Sequence, residues 1–203
     1  MNLDEQEDFW INEFGNNYTD RNNDNSLLIN KKNFFNNILN KINISNVFEI
    51  GCNRGLNLIS IKEINNNIKL NGLEINKKAF EILNQKKICD NLFNDSINNF
   101  NTDDKFDLVF TFGVLIHINP EKLDYTYEKI FNLSKKYILI AEYYSRNITE
   151  INYRNNTNKL FKRDFCGDIM NKYNNLKLID YGFIYYRDPK FPLDDITWFL
   201  LEK

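Results

Sequence analysis

The stretch Val47-Phe48-Glu49-Ile50-Gly51-Cys52-Asn53-Arg54-Gly55 runs from apolar residues through an acid into a turn with two glycines. Leu56-Asn57-Leu58-Ile59-Ser60-Ile61 follows at once and reads as the opening of a helix. Glycine suits backbone that takes positive φ or must let another molecule approach closely. A strand, a Gly turn and a helix in that order point backbone N–H groups and a helix N-terminus at whatever sits above the strand. A Gly turn that merely connects strand to helix would look the same, so the rest of the chain decides.

Downstream, apolar runs and helical patterns alternate. Ile68 to Glu74 predicts a second strand ending in an acid, and Asn76 a helix cap over Lys77 to Lys86. A short third strand is predicted near Ile88 or Leu92, and Phe106-Asp107-Leu108-Val109-Phe110 reads as a strand buried on both faces. Asn119-Pro120 starts a helix, and Tyr137-Ile138-Leu139-Ile140-Ala141 is a fifth strand. Lys177 to Tyr186 and Ile196 to Leu201 have no helix between them and should pair as an antiparallel hairpin. The predicted fold is α/β and Rossmann-like: a seven-stranded, mostly parallel sheet with an antiparallel last strand and helices on both faces. Ahead of this, Asp4 to Asn17 has helical spacing, Tyr18 to Asn25 reads as a loop, and Ser26 caps a helix to about Lys41.

The 203 residues, 42% hydrophobic and 27% charged, are ordinary for one globular domain. A net charge of −2 without charged blocks gives no footprint for nucleic acid or a membrane surface. No apolar run reaches the roughly 20 residues that span a bilayer. The acidic start, Met1 to Asp8, lacks the pattern of a secretion signal, and Cys52, Cys89 and Cys166 form no metal or disulfide set. A cytoplasmic protein without a metal is expected, and its oligomeric state is left open.

Glu74 lies 19 positions past Gly55, where a carboxylate can accept both hydroxyls of a ribose. The turn lacks the full Gly-x-Gly-x-x-Gly that brings backbone up to a pyrophosphate, because Cys52 and Asn53 replace small residues. Glu49 would also repel a phosphate yet suit a cationic or amine-bearing ligand. S-adenosylmethionine has a ribose, a sulfonium and an ammonium, and no phosphate. Two rivals stay open: a nicotinamide-dependent oxidoreductase, and a non-catalytic cofactor-binding or partner module.

The set Glu49 to Gly55, Gly72-Leu73-Glu74, Asp95-Ser96-Ile97 and Phe106 to Ile118 resembles class I S-adenosylmethionine-dependent methyltransferases. More narrowly, Phe9-Trp10, Glu13 to Asn16, Gly113 to Pro120, Ala141 to Tyr144, Leu160 to Phe165 and the tail from Leu178 resemble methylases associated with pseudaminic acid biosynthesis. The resemblance implies one methyltransferase domain over 1–203. Its parts would be a helical cap (1–44), a cofactor-binding core (45–142), a substrate loop and helix (143–175) and a terminal hairpin (176–203). It implies S-adenosyl-L-methionine as cofactor, S-adenosyl-L-homocysteine as product, and a small polar acceptor such as a sugar or sugar nucleotide linked to nonulosonic acid or surface-glycan biosynthesis.

Carried over, Glu49, Gly51, Cys52, Asn53 and Gly55 would frame the methionine end, and Glu74 and Ile75 the ribose and adenine. Asp95, Ser96 and Ile97 would meet the adenine edge, and Thr111 and Phe112 would lie near the cofactor amine. Cys52, where Gly is commoner, should turn its side chain away. Apart from the resemblance, Trp10, Tyr18 and Arg21 either simply pack or lie in a solvated loop, or form a lid over a bound cofactor. His117, the one histidine, either takes the acceptor's proton or holds its loop. The long segment from Tyr143 to Asp168 reads as a substrate loop. In it Tyr143 is a catalytic candidate, and Tyr144, Tyr153, Arg154 and Arg163 are acceptor contacts, the arginines suiting a carboxylate or phosphate. Arg187, Asp188 and Asp194, in the terminal hairpin's loop, have weaker claims to the same pocket.

Overall fold

The computed structural model describes residues 3–22 and 26–203. A seven-stranded sheet is built from β1 (Asn46–Ile50), β2 (Lys69–Leu73), β3 (Asn91–Phe93), β4 (Phe106–Phe112), β5 (Ser134–Glu142), β8 (Lys177–Ile184) and β9 (Ile196–Glu202). Its order is β3-β2-β1-β4-β5-β9-β8, with β9 antiparallel to both neighbours and the other pairs parallel. The expected fold is therefore present, hairpin included.

The apolar runs form strands because both sheet faces are covered. On one face α3 (Leu27–Leu39), α4 (Leu56–Ile64) and α5 (Lys77–Gln85) bury Phe34, Phe35, Ile38, Leu58, Ile61 and Leu83 against Val47, Leu108 and Phe110. On the other, α6 (Leu123–Leu133) and α7 (Phe165–Lys172) pack Tyr127, Ile130 and Ile169 onto Phe48, Val109 and Ile138. Each such fully buried side chain contributes roughly 1.5–3 kcal/mol. Asn76 caps α5 as expected, its side chain accepting from Ala79 N at 3.0 Å.

Four local expectations need correction. The first predicted helix is two, α1 (Glu5–Ile11) and α2 (Glu13–Arg21), broken at Asn12, whose amide turns back to Asp8. Tyr18 to Arg21 belong to α2 rather than to a loop, while residues 23–25 lie outside the described ones. The helix predicted from Pro120 begins as a 3-10 turn, Pro120–Lys122, before α6. The segment expected to be a substrate loop folds into its own antiparallel hairpin, β6 (Thr149–Tyr153) with β7 (Asn156–Lys162). Its tight turn places Arg154 and Asn155 at φ 51° and 66°, a task usually given to glycine.

Candidate functional site: a cavity over the carboxyl ends of the strands

A cavity of about 870 Å³ opens above the carboxyl ends of β1, β2, β4 and β5, where α/β sheets receive ligands. Its floor is the Gly turn. Gly51 and Gly55 have φ of 71° and 78°, and a Cβ on either would meet Val114 at 2.6 Å or Leu83 at 2.4 Å. Backbone N–H groups of Gly51 and Cys52 donate to Leu73 O at 2.8 and 3.1 Å, stitching the turn to β2. The Cys52 side chain is buried in the core beside Gly72.

Beyond the turn lies a charged relay. Glu49, 1% exposed, accepts from Asn57 Nδ2 at 2.6 Å, and Asn57 Oδ1 accepts from Lys31 Nζ at 2.8 Å. Lys31 also sits 4.2 Å over the Phe112 ring. The second Glu49 oxygen, Oε2, is buried with no hydrogen-bond partner among the described residues. Burial pushes the Glu49 carboxyl above its usual range, overcoming Asn57 and Lys31, and it lowers Lys31 against the pull of Glu49 and Asp194. An Asn bridge thus joins a carboxyl and an amine on the cavity wall, with Glu49 Oε2 left over. That is the complement of an amino-acid zwitterion.

Glu74 receives Asn53 N on Oε2 at 2.6 Å and Asn76 N on Oε1 at 2.7 Å. Burial raises its pKa to about 7 despite those donors. Each carboxylate oxygen keeps a second lone pair for a ligand hydroxyl.

The N-terminal helices form a third wall. Asn76 Nδ2 donates to Trp10 O at 3.0 Å, and Trp10 packs on His117 and Tyr18 with centroids 4.6 and 5.1 Å apart. Glu7 takes bonds from Ser96 Oγ, from Asn98 Nδ2 at 2.9 Å and from Lys122 Nζ at 3.1 Å, and Lys122 also pairs with Asp4 at 2.8 Å. Burial opposes the charge on Glu7, but these donors hold its pKa at about 2. The Ser96 hydroxyl, expected at an adenine edge, is therefore committed to Glu7.

At the far end, His117 Nδ1 lies 2.7 Å from Lys159 O on β7. A carbonyl only accepts, so Nδ1 carries the proton. Enclosure lowers the His117 pKa to about 4, against the pull of that carbonyl. The Tyr153 ring lies 5.0 Å from the imidazole. Glu142 braces the same segment, accepting from Val114 N at 3.0 Å and Ile116 N at 3.4 Å, and burial raises its pKa to about 7. The Tyr143 phenol, also in the lining, donates to Asp194 Oδ2.

Of the residues singled out in the sequence, Trp10, Tyr18, Arg21, Glu49, Gly51, Cys52, Asn53, Glu74, Ile75, Asp95, Ser96, Ile97, Phe112, His117, Tyr143, Tyr153 and Arg154 line the cavity. Gly55 and Thr111 lie just behind the lining, one capping α4 and the other buried in β4. Tyr144 and Arg163 are not brought in. Tyr144 is 43% exposed and leans on Phe199, and Arg163 pairs with Asp168 at 2.6 Å. Lys31, Asn57, Glu7 and Glu142 were not anticipated as site residues. Lys31 left a trace: it is the lysine within an otherwise apolar helical stripe, Leu27, Phe34, Phe35 and Ile38.

No family model matches the chain, and no curated protein is similar to it in sequence. Solved structures do match. The magnesium protoporphyrin IX methyltransferase of Synechocystis PCC 6803 with bound S-adenosylmethionine superposes with a TM-score of 0.70 at 13% identity, covering 100% of this chain and 98% of that one. An S-adenosylmethionine-dependent methyltransferase from Clostridium acetobutylicum ATCC 824 gives 0.62 at 10% identity over 93% and 97%. An O-methyltransferase from a trans-AT PKS multienzyme of Brevibacillus brevis, in complex with S-adenosyl-L-homocysteine, gives 0.65 at 16% identity over 87% and 71%. With a mostly parallel seven-stranded sheet, an antiparallel β9 and superposition over the whole chain, the chain has the Rossmann-like fold of class I S-adenosylmethionine-dependent methyltransferases.

Proposed function

We propose that the protein is an S-adenosylmethionine-dependent methyltransferase acting on a small polar acceptor. The observation that carries this reading is the orphaned Glu49 Oε2 beside Lys31, bridged by Asn57. Those groups fit the ammonium and carboxylate of a methionine end, and Glu74 fits a ribose diol a short way along the same cavity. Ile75, Asp95 and Ile97 would enclose the adenine, and the backbone of Gly51, Cys52 and Asn53 would lie under the sulfur, where no phosphate turn exists. This disfavours a nicotinamide cofactor. Bound there, the cofactor supplies a methyl carbon already activated by a sulfonium.

The chain's own work is then alignment and shielding. Trp10, Tyr18 and Tyr153 would close over the reacting centre, and Glu142 would keep the segment from Val114 to His117 in place. No group of metal-ligating side chains occurs among the described residues. No helix among them is long and apolar enough to cross a membrane. The aromatic walls and Arg154 at the hairpin turn suit a sugar or sugar nucleotide with an acidic group. The narrower link to pseudaminic acid or surface-glycan biosynthesis rests on the sequence resemblance.

Calorimetry with S-adenosylhomocysteine and with NAD tests the cofactor, and preference for NAD would overturn the reading. Labelled S-adenosylmethionine with fractionated nucleotide-sugar extract then tests turnover. Tight cofactor binding without label transfer to any fraction would favour a non-catalytic module.

A further inference from the structure

The proposed reaction needs a destination for the acceptor's proton, and the cavity lining offers two. His117 projects from the turn after β4. Its Nδ1–H is spent on Lys159 O, and its ring lies against Trp10 and Tyr153. Taking a proton on Nε2 would place a full positive charge in an enclosed aromatic box beside the sulfonium. Asp194 comes from the loop between β8 and β9. Leu193, 8% exposed, roots that loop in the core, and Asn30 Nδ2 holds it through Pro192 O at 2.7 Å. The Tyr143 phenol, at the end of β5, fixes Asp194 Oδ2. Asp194 lines the cavity and makes no ion pair among the described residues, Lys31 feeling its charge without touching it.

Resting on the methyltransferase reading above, we propose that Asp194 is the proton acceptor of the reaction and that His117 is a fixed wall of the acceptor pocket. The acceptor is thereby a molecule that presents a nucleophilic O–H or N–H to this carboxylate. As that oxygen or nitrogen attacks, its bond to the methyl carbon forms and the carbon–sulfur bond breaks. The breaking pair passes to sulfur, leaving a neutral thioether, and the nucleophile's proton passes to Asp194 Oδ1. Positive charge developing on the attacking atom meets a fixed negative charge, whereas at His117 it would meet a second developing cation. Burial, then the bond to Asp194, raises the Tyr143 pKa, so the phenol stays a donor and does not compete for the proton.

The test needs no acceptor. Sinefungin has the adenosine and amino-acid ends of S-adenosylhomocysteine, but an amine-bearing carbon replaces sulfur and sets an ammonium toward the acceptor position. Calorimetry compares the two probes on the wild type and on Asp194→Asn. Shared ends cancel in the ratio of dissociation constants, leaving the ammonium's surroundings. The proposal expects the Asp194→Asn preference for sinefungin to fall about tenfold or more, the loss of one charged hydrogen bond, with S-adenosylhomocysteine binding within about twofold of wild type. An unchanged preference overturns it, as does a fall seen in His117→Gln but not in Asp194→Asn. Failure of the wild type to bind S-adenosylhomocysteine overturns the methyltransferase reading itself and is separately visible.

Discussion

Replacing Glu74 with Gln separates ligand binding from folding better than any other single change in the cavity. The carboxylate takes Asn53 N at 2.6 Å on one oxygen and Asn76 N at 2.7 Å on the other, leaving one lone pair on each for a ribose hydroxyl. An amide keeps one acceptor and turns an NH2 toward a backbone N–H. One charge-assisted bond to the ribose disappears and its neighbour weakens, a loss of about 2–3 kcal/mol or roughly 30- to 150-fold in affinity. Folding should change much less at pH 8. There the buried carboxyl, with a pKa of about 7, is ionised at a cost that the neutral amide avoids. That saving offsets the disturbed backbone bond. Calorimetry with S-adenosylhomocysteine beside urea unfolding measures both quantities. Wild-type affinity in Glu74→Gln would refute the assignment of this carboxylate to a ribose.

Further outcomes follow from the same geometry. Gly55→Ala should destabilise by about 2–4 kcal/mol in urea, because φ is 78° and the new methyl meets Leu83 Cδ1 at 2.4 Å. Glu74 and Glu142 have pKa values raised to about 7, so their stabilising effect is complete below the unfolded carboxyl value and is lost as pH rises through 7. The ligand-free protein should therefore show a higher urea midpoint at pH 6.5 than at pH 8, and Glu142→Gln should flatten that difference. On the acid side His117, lowered to about 4, is neutral in the fold, so its own contribution falls as pH drops from about 6.5 toward 4 against the gain from the two carboxyls, and His117→Gln should steepen the rise in urea midpoint from pH 6.5 to pH 5. Lys122→Ala removes the partner of Asp4 and Glu7 that ties α1 down, and stopped-flow Trp fluorescence should show S-adenosylhomocysteine leaving several-fold faster. Equal release rates would deny α1 a gating part.

What could be read from sequence was local. The turn from Glu49 to Gly55, the acid closing β2, the Asn76 cap and the terminal hairpin each sit within a few residues of their causes, and the structure has all four. The β6–β7 hairpin escaped because its turn uses Arg154 and Asn155 at positive φ, where an Asn-Gly pair would have announced it. The break at Asn12 escaped because no Gly or Pro marks it. It depends on α2 folding back so closely that a Cβ on Gly15 would strike Trp10 O at 1.8 Å. The state of His117 was illegible for another reason: its partner, the carbonyl of Lys159, is 42 residues away on a strand that the sequence did not show.

That division between local and distant determinants runs through the cavity itself. The proposed cofactor half is framed by Glu49 to Asn57 and Glu74 to Asn76, short stretches joined by parallel pairing of β1 with β2. The glycine turn and the acid closing β2 could be read before the fold was known, whereas the bridge through Asn57 to Lys31 on α3 could not. The opposite half takes Trp10 from the first helix, His117 from the turn after β4, Tyr143 from the end of β5, Tyr153 from the hairpin and Asp194 from the last loop. These residues come from five separate elements, and a shift in any of them would change what the pocket admits. On the proposed reading, a fold built this way would hold the methyl donor constant and leave the acceptor to vary. Identifying the acceptor therefore depends on substitutions in those loops, Asp194 first, rather than on the glycine turn.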